Sequence, residues 1–162
     1  HRSKLDYQKE SQLKADERKE RATYLAARIA CTLDPFVMGC ATVVRDSGIP
    51  SGDGTFEPEY GAPKLELPAD VDWKSIDANL MYRILKLPNE IQSADSSIAF
   101  VASTIAGPPH YEEFFIERKR RYARLGLIAL DLSVELRKKY KLPKPEFSDW
   151  DPRVSLVEAI NE

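Results

Sequence analysis

Residues 109–140 place the strongest constraint on the fold, because apolar side chains recur there with strict helical spacing. The main series consists of Tyr111, Phe115, Arg118, Tyr122, Leu125, Ala129, Leu132 and Leu136, and Arg118 is its one charged member. Steps of four and three residues bring these positions to one side of a helix. Leu127, Leu130 and Val134 add a second apolar side. A helix that is apolar on two sides is expected at the centre of a helical bundle.

The N-terminal third of the chain predicts a second long helix, over residues 4–45. Its apolar positions are also three and four residues apart: Ala22, Leu25, Ile29, Leu33, Phe36, Cys40 and Val43. Pro35 interrupts this helix, and Asp34-Pro35 would also suit the start of a new one. Since the apolar series keeps its phase across the proline, we expect one helix kinked at Pro35.

Two shorter helices are predicted between these segments, and a further one at the C-terminus. Asp72 is the expected N-cap of the first, and Pro88-Asn89 separates it from the second, which ends before Gly107-Pro108-Pro109. Asp151-Pro152 opens a short terminal helix after a proline-broken linker over residues 142–150. Residues 47–71, with four prolines and four glycines, form a long irregular loop.

These patterns define an all-α fold, a helical bundle of four main helices with a short C-terminal cap helix. No alternating strand pattern competes, although residues 64–67 are able to pair briefly. We expect residues 1–21 to form a polar helical stalk that continues into the domain. Residues 22–162 then form a single all-α domain, a usual size for one hydrophobic core.

Composition excludes several classes of function. Charged residues make up 31% of the 162-residue chain, but the net charge is only −2, so no overall field favours nucleic acid or an anionic surface. The four consecutive basic residues at 118–121 spread around a helix instead of forming one stripe. Two cysteines exclude a disulfide-rich scaffold, and two histidines leave little material for a metal site. We expect no cofactor, no metal and no nucleic acid.

The first 21 residues suggest attachment to a membrane. They hold seven basic and five acidic residues, lack Gly and Pro, and have no apolar side to bury. Because the chain starts at His1 and not at methionine, we expect a further segment before it. A solvated helix after such a segment is typical of a juxtamembrane stalk, and its excess of Lys and Arg predicts that the domain lies on the cytoplasmic side. No run of 18 apolar residues occurs in the chain itself, so we expect no membrane span within it.

Two groups of residues are the candidate sites. Phe56, Glu57 and Tyr60 lie in the long loop, and loops of this length often carry a binding function, so they are the candidate interaction residues. Asp95 lies beside an apolar series and Arg118 lies within one. A charged group in such a position needs a partner, and we predict that Asp95 forms a buried or half-buried ion pair with Arg118 or Arg121.

Small residues inside the predicted helices indicate close packing. Glycine costs about 1 kcal/mol relative to alanine in a helix interior, so Gly39 and Gly126 are expected where two helices cross closely. Cys31 and Cys40 are nine residues apart, on opposite sides of one helix, which is unsuitable for a disulfide. Both are interpreted as small core residues.

An enzyme is the less favoured interpretation. A di-iron bundle needs two Glu-x-x-His pairs, and the sequence has only the single pair His110 and Glu113. We expect a non-enzymatic helical interaction or scaffold domain with a protein partner, cytoplasmic or at the cytoplasmic face of a membrane. The first alternative is a soluble cytoplasmic binding module or a homodimer formed through the first helix. The second is an enzyme with His110, Glu113 and Asp95 as acid/base groups.

Overall fold

The computed structural model describes residues 3–145 and 151–161, and its main elements are four α-helices. The helices are α1 (Lys4–Val43), α2 (Ala78–Thr104), α3 (Glu112–Lys139) and α4 (Pro152–Asn161). The all-α bundle is confirmed, with three long helices and one short one instead of four long helices and a cap. The central helix, α3, contacts the other three, while α4 also lies against α1.

Contacts between distant residues give the directions of the helices. Asp34 and Asp46 of the α1 region pair with Arg137 and Arg118 of α3, so these two helices are antiparallel. Asp77, just before α2, bonds to Tyr140 at the far end of α3, so α2 is also antiparallel to α3. It follows that α1 and α2 run in the same direction on two sides of α3.

Helix α1 is continuous through Pro35, as predicted for one helix. The Ser3 side chain caps its start by accepting a hydrogen bond from the Asp6 N–H. Every residue of the predicted apolar series from Ala22 to Val43 is buried. Packing in the hydrophobic core on both sides of the proline therefore outweighs the one backbone hydrogen bond that Pro35 removes.

Helix α2 corrects the expectation of two helices divided at Pro88. It runs unbroken through that proline, and it starts later than predicted, at Ala78, because Asp77 caps it through the Leu80 N–H. Asp72 caps only the short 3₁₀ turn Trp73–Ser75. The buried series Leu80, Ile84, Leu87, Ala94, Ile98 and Val101 stays on one side across the proline, so packing on α3 maintains the helix.

Helix α3 has the charge distribution expected at its ends. Glu112 and Glu113 lie in its first turn and Arg137, Lys138 and Lys139 in its last, where they complement the helix dipole. A Cβ added to Gly126 would lie 2.9 Å from the Cys40 Cβ and 2.8 Å from a Leu156 methyl. The close approach predicted at Gly126 is confirmed, and it joins α1, α3 and α4.

The 47–71 loop has two parts. The first contains a two-stranded antiparallel pair, β1 (Ile49–Pro50) and β2 (Phe56–Glu57). The second, residues 61–71, here called the strap, lies along α1: Pro63 contacts Gly39, and Asp70 lies 3.7 Å from Arg28. Leu65, Leu67 and Val71 pack on the hydrophobic core. Gly39 therefore marks contact with the strap and not a crossing of two helices.

Candidate interaction surfaces

The long loop is fastened to α3 by a buried ion pair. The Arg118 guanidinium lies 3.0 Å from the Asp46 carboxylate, and their side chains are only 6% and 0% exposed. Its second Nη donates to the Tyr60 carbonyl at 2.5 Å. Asp46, Arg118 and the Tyr60 carbonyl are here called the clasp. Because Asp46 ends the α1 region and Tyr60 lies 14 residues later, the clasp closes the loop onto the bundle.

The Asp46 carboxylate is fully supplied with hydrogen bonds. Besides Arg118, it accepts from the backbone N–H groups of Gly48, Glu59 and Tyr60 at 2.9–3.2 Å. Burial alone would raise its pKa, but these N–H donors and the guanidinium together hold the pKa of Asp46 below its ordinary value. These surroundings therefore stabilise the ionised form of Asp46.

The predicted pair between Asp95 and Arg118 is wrong, although Arg118 is buried and paired with a carboxylate. Asp95 is exposed and accepts a hydrogen bond from the Tyr122 hydroxyl at 2.5 Å. Burial, and then this hydrogen bond, raise the pKa of Tyr122. Asp46 follows the apolar series of α1 and begins a turn-forming Asp-Ser-Gly, which indicates a turn but gives no sign of a contact with Arg118.

A groove of about 280 Å³ lies between this loop and the start of α3. Of the three predicted interaction residues, only Phe56 lines it. Its ring lies 4.9 Å from that of His110, and its N–H donates to the Pro109 carbonyl at 2.8 Å. Glu57 and Tyr60 are exposed outside the groove. The other lining residues are Ser47, His110, Glu112, Phe115, Ile116 and Lys119.

The acid/base residues of the enzyme interpretation are not gathered into one site. His110 and Glu113 border a second shallow depression beside the prolines at 108 and 109, and Asp95 is not among the residues lining it. Asp95 is instead bonded to Tyr122. Within residues 3–145 and 151–161, no group of three His, Cys, Asp or Glu side chains is arranged to bind a metal ion.

The two cysteines differ in environment. Both are free thiols; Cys40 is buried, and its burial raises the pKa of the thiol. Cys31 is exposed, so its interpretation as a core residue is wrong. The two positions lie on different sides of α1, as their spacing required, and only one of these sides faces α3.

The N-terminal part of α1 projects beyond the bundle. Residues 4–21, here called the arm, are helical and all exposed, over about 27 Å of helix. Burial begins at Ala22, and because Asp34 lies beside Arg137 in antiparallel helices, Ala22 lies towards the end of the bundle that carries Tyr140. The arm therefore extends from the end of the bundle opposite to the clasp and the groove.

One stretch of α1 is also apolar enough to cross a membrane by length and composition. Its best 18-residue window has a mean hydropathy of 1.2, and among the described residues no other helix qualifies. Buried core helices also pass this test, so it neither confirms nor contradicts the expectation of no membrane span within the chain. Half of the window is buried in the bundle, and Asp34 is paired there with Arg137. In this fold the stretch serves as a core helix.

Comparison with known proteins adds no functional assignment: no protein-family model, no curated protein and no solved structure matches this chain.

Proposed function

We propose that this chain is a non-enzymatic helical interaction domain carried on a helical spacer, the cytoplasmic part of a membrane-anchored protein. The observation that carries the proposal is the arm, in which residues 4–21 are helical and exposed on every side. A helix that buries nothing contributes little to a folded core. Its use is to separate the bundle from whatever precedes it.

Charge supports the cytoplasmic orientation. The arm carries six basic residues, Lys4, Lys9, Lys14, Arg18, Lys19 and Arg21, and five acidic ones. Segments flanking a membrane span on the cytoplasmic side are rich in Lys and Arg, and acidic residues count little in this bias. The alternative, a soluble binding module or homodimer, is favoured by a different surface, on α2, treated below.

Fractionation of the native protein tests the anchor. We expect it to pellet with membranes, to resist washing with high salt and alkali, and to be released by detergent. A protein that stays in the soluble fraction, or that leaves the membrane with salt alone, would contradict anchoring.

A deletion tests the spacer. Removing residues 4–21 takes out about five helical turns, so the bundle keeps its rotation about the helix axis. Energy transfer from a dye on the exposed Cys31 to a headgroup dye should rise, because the bundle moves about 27 Å closer to the lipid. The urea midpoint should stay the same as in the undeleted protein. Unchanged energy transfer would show that the arm does not set this distance.

A further inference from the structure

Helix α2 is covered on one side only. Its buried residues face α3, and the opposite side is exposed along the whole helix, about 40 Å. The exposed residues on this side recur every three or four positions: Ala78, Tyr82, Leu85, Asn89, Gln92, Ser96, Ala99 and Ser103. This series is here called the outward face of α2. It is continuous from the first to the last turn of the helix.

The outward face contains no charged residue, although charged residues make up 31% of the chain. Helix α2 has four charged side chains, and each has a partner within the protein. Arg83 forms two hydrogen bonds with Glu135 of α3, and Asp95 accepts one from Tyr122. The other two, Lys86 and Glu90, pair with each other at 3.1 Å along the edge of the face. The charges of α2 thus lie at the edge of the outward face or away from it.

Large apolar side chains are left in water on and beside this face. Tyr82 is 63% exposed, Leu85 42% and Phe100 58%. Depletion of charge together with exposed aromatic residues is the composition found at the centre of protein interfaces. An ordinary solvated helix face, such as that of the arm, carries charges throughout.

We propose that the outward face of α2 binds the same face of a second copy, with the two helices side by side and parallel. A two-fold contact uses the same patch twice, so the patch must be self-complementary. An uncharged face meets that condition, because two copies bring no like charges together. Asn89, Gln92 and Ser96 both donate and accept hydrogen bonds, so identical side chains pair across the axis.

Asn89 favours the parallel arrangement. The outward residues follow a heptad pattern in which Tyr82, Asn89, Ser96 and Ser103 occupy one core position and Ala78, Leu85, Gln92 and Ala99 the other. In parallel coiled-coil pairs, asparagine at such a core position specifies the register, at a cost in stability. The small residues at 96, 99 and 103 let the two backbones approach closely. Parallel pairing also brings both arms to the same end of the dimer.

The small area of the outward face suits a weak association. A helix face about 40 Å long and about 10 Å wide covers roughly 400 Å² on each copy. Specific interfaces usually bury about 800 Å² per partner, so the contact belongs to the weak class. We expect a dissociation constant on the order of 10–100 µM. The proposal is independent of membrane attachment, which would raise the local concentration of both copies.

Sedimentation of the whole chain over a concentration series tests the interface. Ser96→Arg places a charge at the centre of the outward face, and Ser11→Arg makes the same change on the exposed arm. Arginine is favoured in helices, so both variants should fold, which far-UV circular dichroism would verify. We expect wild type and Ser11→Arg to associate alike, and Ser96→Arg to associate at least tenfold more weakly. A monomeric wild type at 500 µM, or loss of association in Ser11→Arg alone, would overturn the proposal.

Cysteine cross-linking tests the orientation, with Cys31→Ser removing the exposed thiol. Parallel helices bring residue 103 beside its own copy, so Ser103→Cys should form a disulfide-linked dimer on mild oxidation. A mixture of Ala78→Cys and Ser103→Cys proteins should then give only the two homodimers. Cross-linking confined to the mixed pair would mean antiparallel helices and would overturn the parallel assignment.

Discussion

The two halves of α1 share one helical backbone but are stabilised in different ways. The arm, residues 4–21, has eleven charged side chains and buries none of its residues. The half within the bundle, residues 22–43, has only Arg28 and Asp34, and each has a partner, Asp70 and Arg137 respectively. Its apolar series is buried in the hydrophobic core. The arm is a helix through local interactions, and the packed half through tertiary contacts.

This difference predicts how substitutions in each half affect the stability of the domain. Local interactions such as the Ser3 cap and the Gln12–Asp16 hydrogen bond stabilise a helix by tenths of a kcal/mol to about 1 kcal/mol each. Burying one large apolar side chain contributes about 1.5–3 kcal/mol. We therefore expect the arm to unwind without affecting the bundle, whereas changes in the packed half should affect the whole domain.

Proline substitution in each half should give the largest contrast. Ala30→Pro removes a hydrogen bond and puts a ring against the preceding turn in a buried part of α1, and should lower the free energy of unfolding by at least about 3 kcal/mol. Ala15→Pro makes the same change in the arm. It should reduce the far-UV helical signal while leaving the urea midpoint of the bundle unchanged. Equal loss of bundle stability in both variants would show that the arm belongs to the cooperative unit.

Breaking the clasp should have the next largest effect. Arg118→Ala leaves the Asp46 carboxylate buried without its cation, and removing one partner of a buried pair costs about 3–5 kcal/mol. Urea denaturation followed by tryptophan fluorescence measures it. The control is Arg120→Ala on the exposed side of α3, expected to change stability by less than about 0.5 kcal/mol. Similar free energies of unfolding for the two variants would mean that the clasp does not stabilise the bundle.

Filling the contact at Gly126 should cost somewhat less. Gly126→Leu forces a side chain against Cys40 and Leu156, and overpacking of this kind costs about 1–3 kcal/mol. Gly61→Leu is the matched control, since a Cβ there has no atom within 4 Å. Thermal unfolding compares them. A midpoint for Gly126→Leu equal to that of Gly61→Leu would contradict tight packing of α1, α3 and α4.

Removing the N-cap of the arm should have the smallest effect, confined to its first turn. Ser3→Ala removes the acceptor for the Asp6 N–H, at a local cost of about 1 kcal/mol. Faster amide exchange at Asp6 and Tyr7 is expected, with no change at Ile29 or Leu33. Ser3→Asp retains an acceptor and should restore slow exchange. Faster exchange that reaches the packed half would contradict the independence of the arm.

A second comparison, between the arm and the outward face of α2, concerns function. Both are fully exposed helical surfaces, but the arm is covered with charges of both signs and the face of α2 has none. Mixed charges keep a helix soluble without a partner. Covering exposed tyrosine, leucine and phenylalanine side chains with another surface is favourable in free energy, because it removes apolar area from water. The arm is thus suited to be a spacer, and α2 to make contact.

The site residues were harder to predict from the sequence than the helices. Arg118 was recognised as a buried charge in need of a carboxylate, because it interrupts an apolar series. The choice of Asp46 over Asp95 depended on where the end of α1 lies relative to α3, and helical periodicity holds no information about that. For the same reason Phe56, Glu57 and Tyr60 were placed together in one loop, although only Phe56 lines the groove.

The amino-acid sequence by itself determined the all-α class, the sides of α1 and α3 that face the core, and the exposure of the arm. Each follows from the spacing of apolar and charged residues along a single helix, which is a local property. Only the tertiary structure decided that α2 continues through Pro88, that the strap lies along α1, and that Arg118 closes the loop with Asp46. These outcomes depend on contacts between residues far apart in sequence. The burial energies of those contacts exceed the local preferences that the sequence displays.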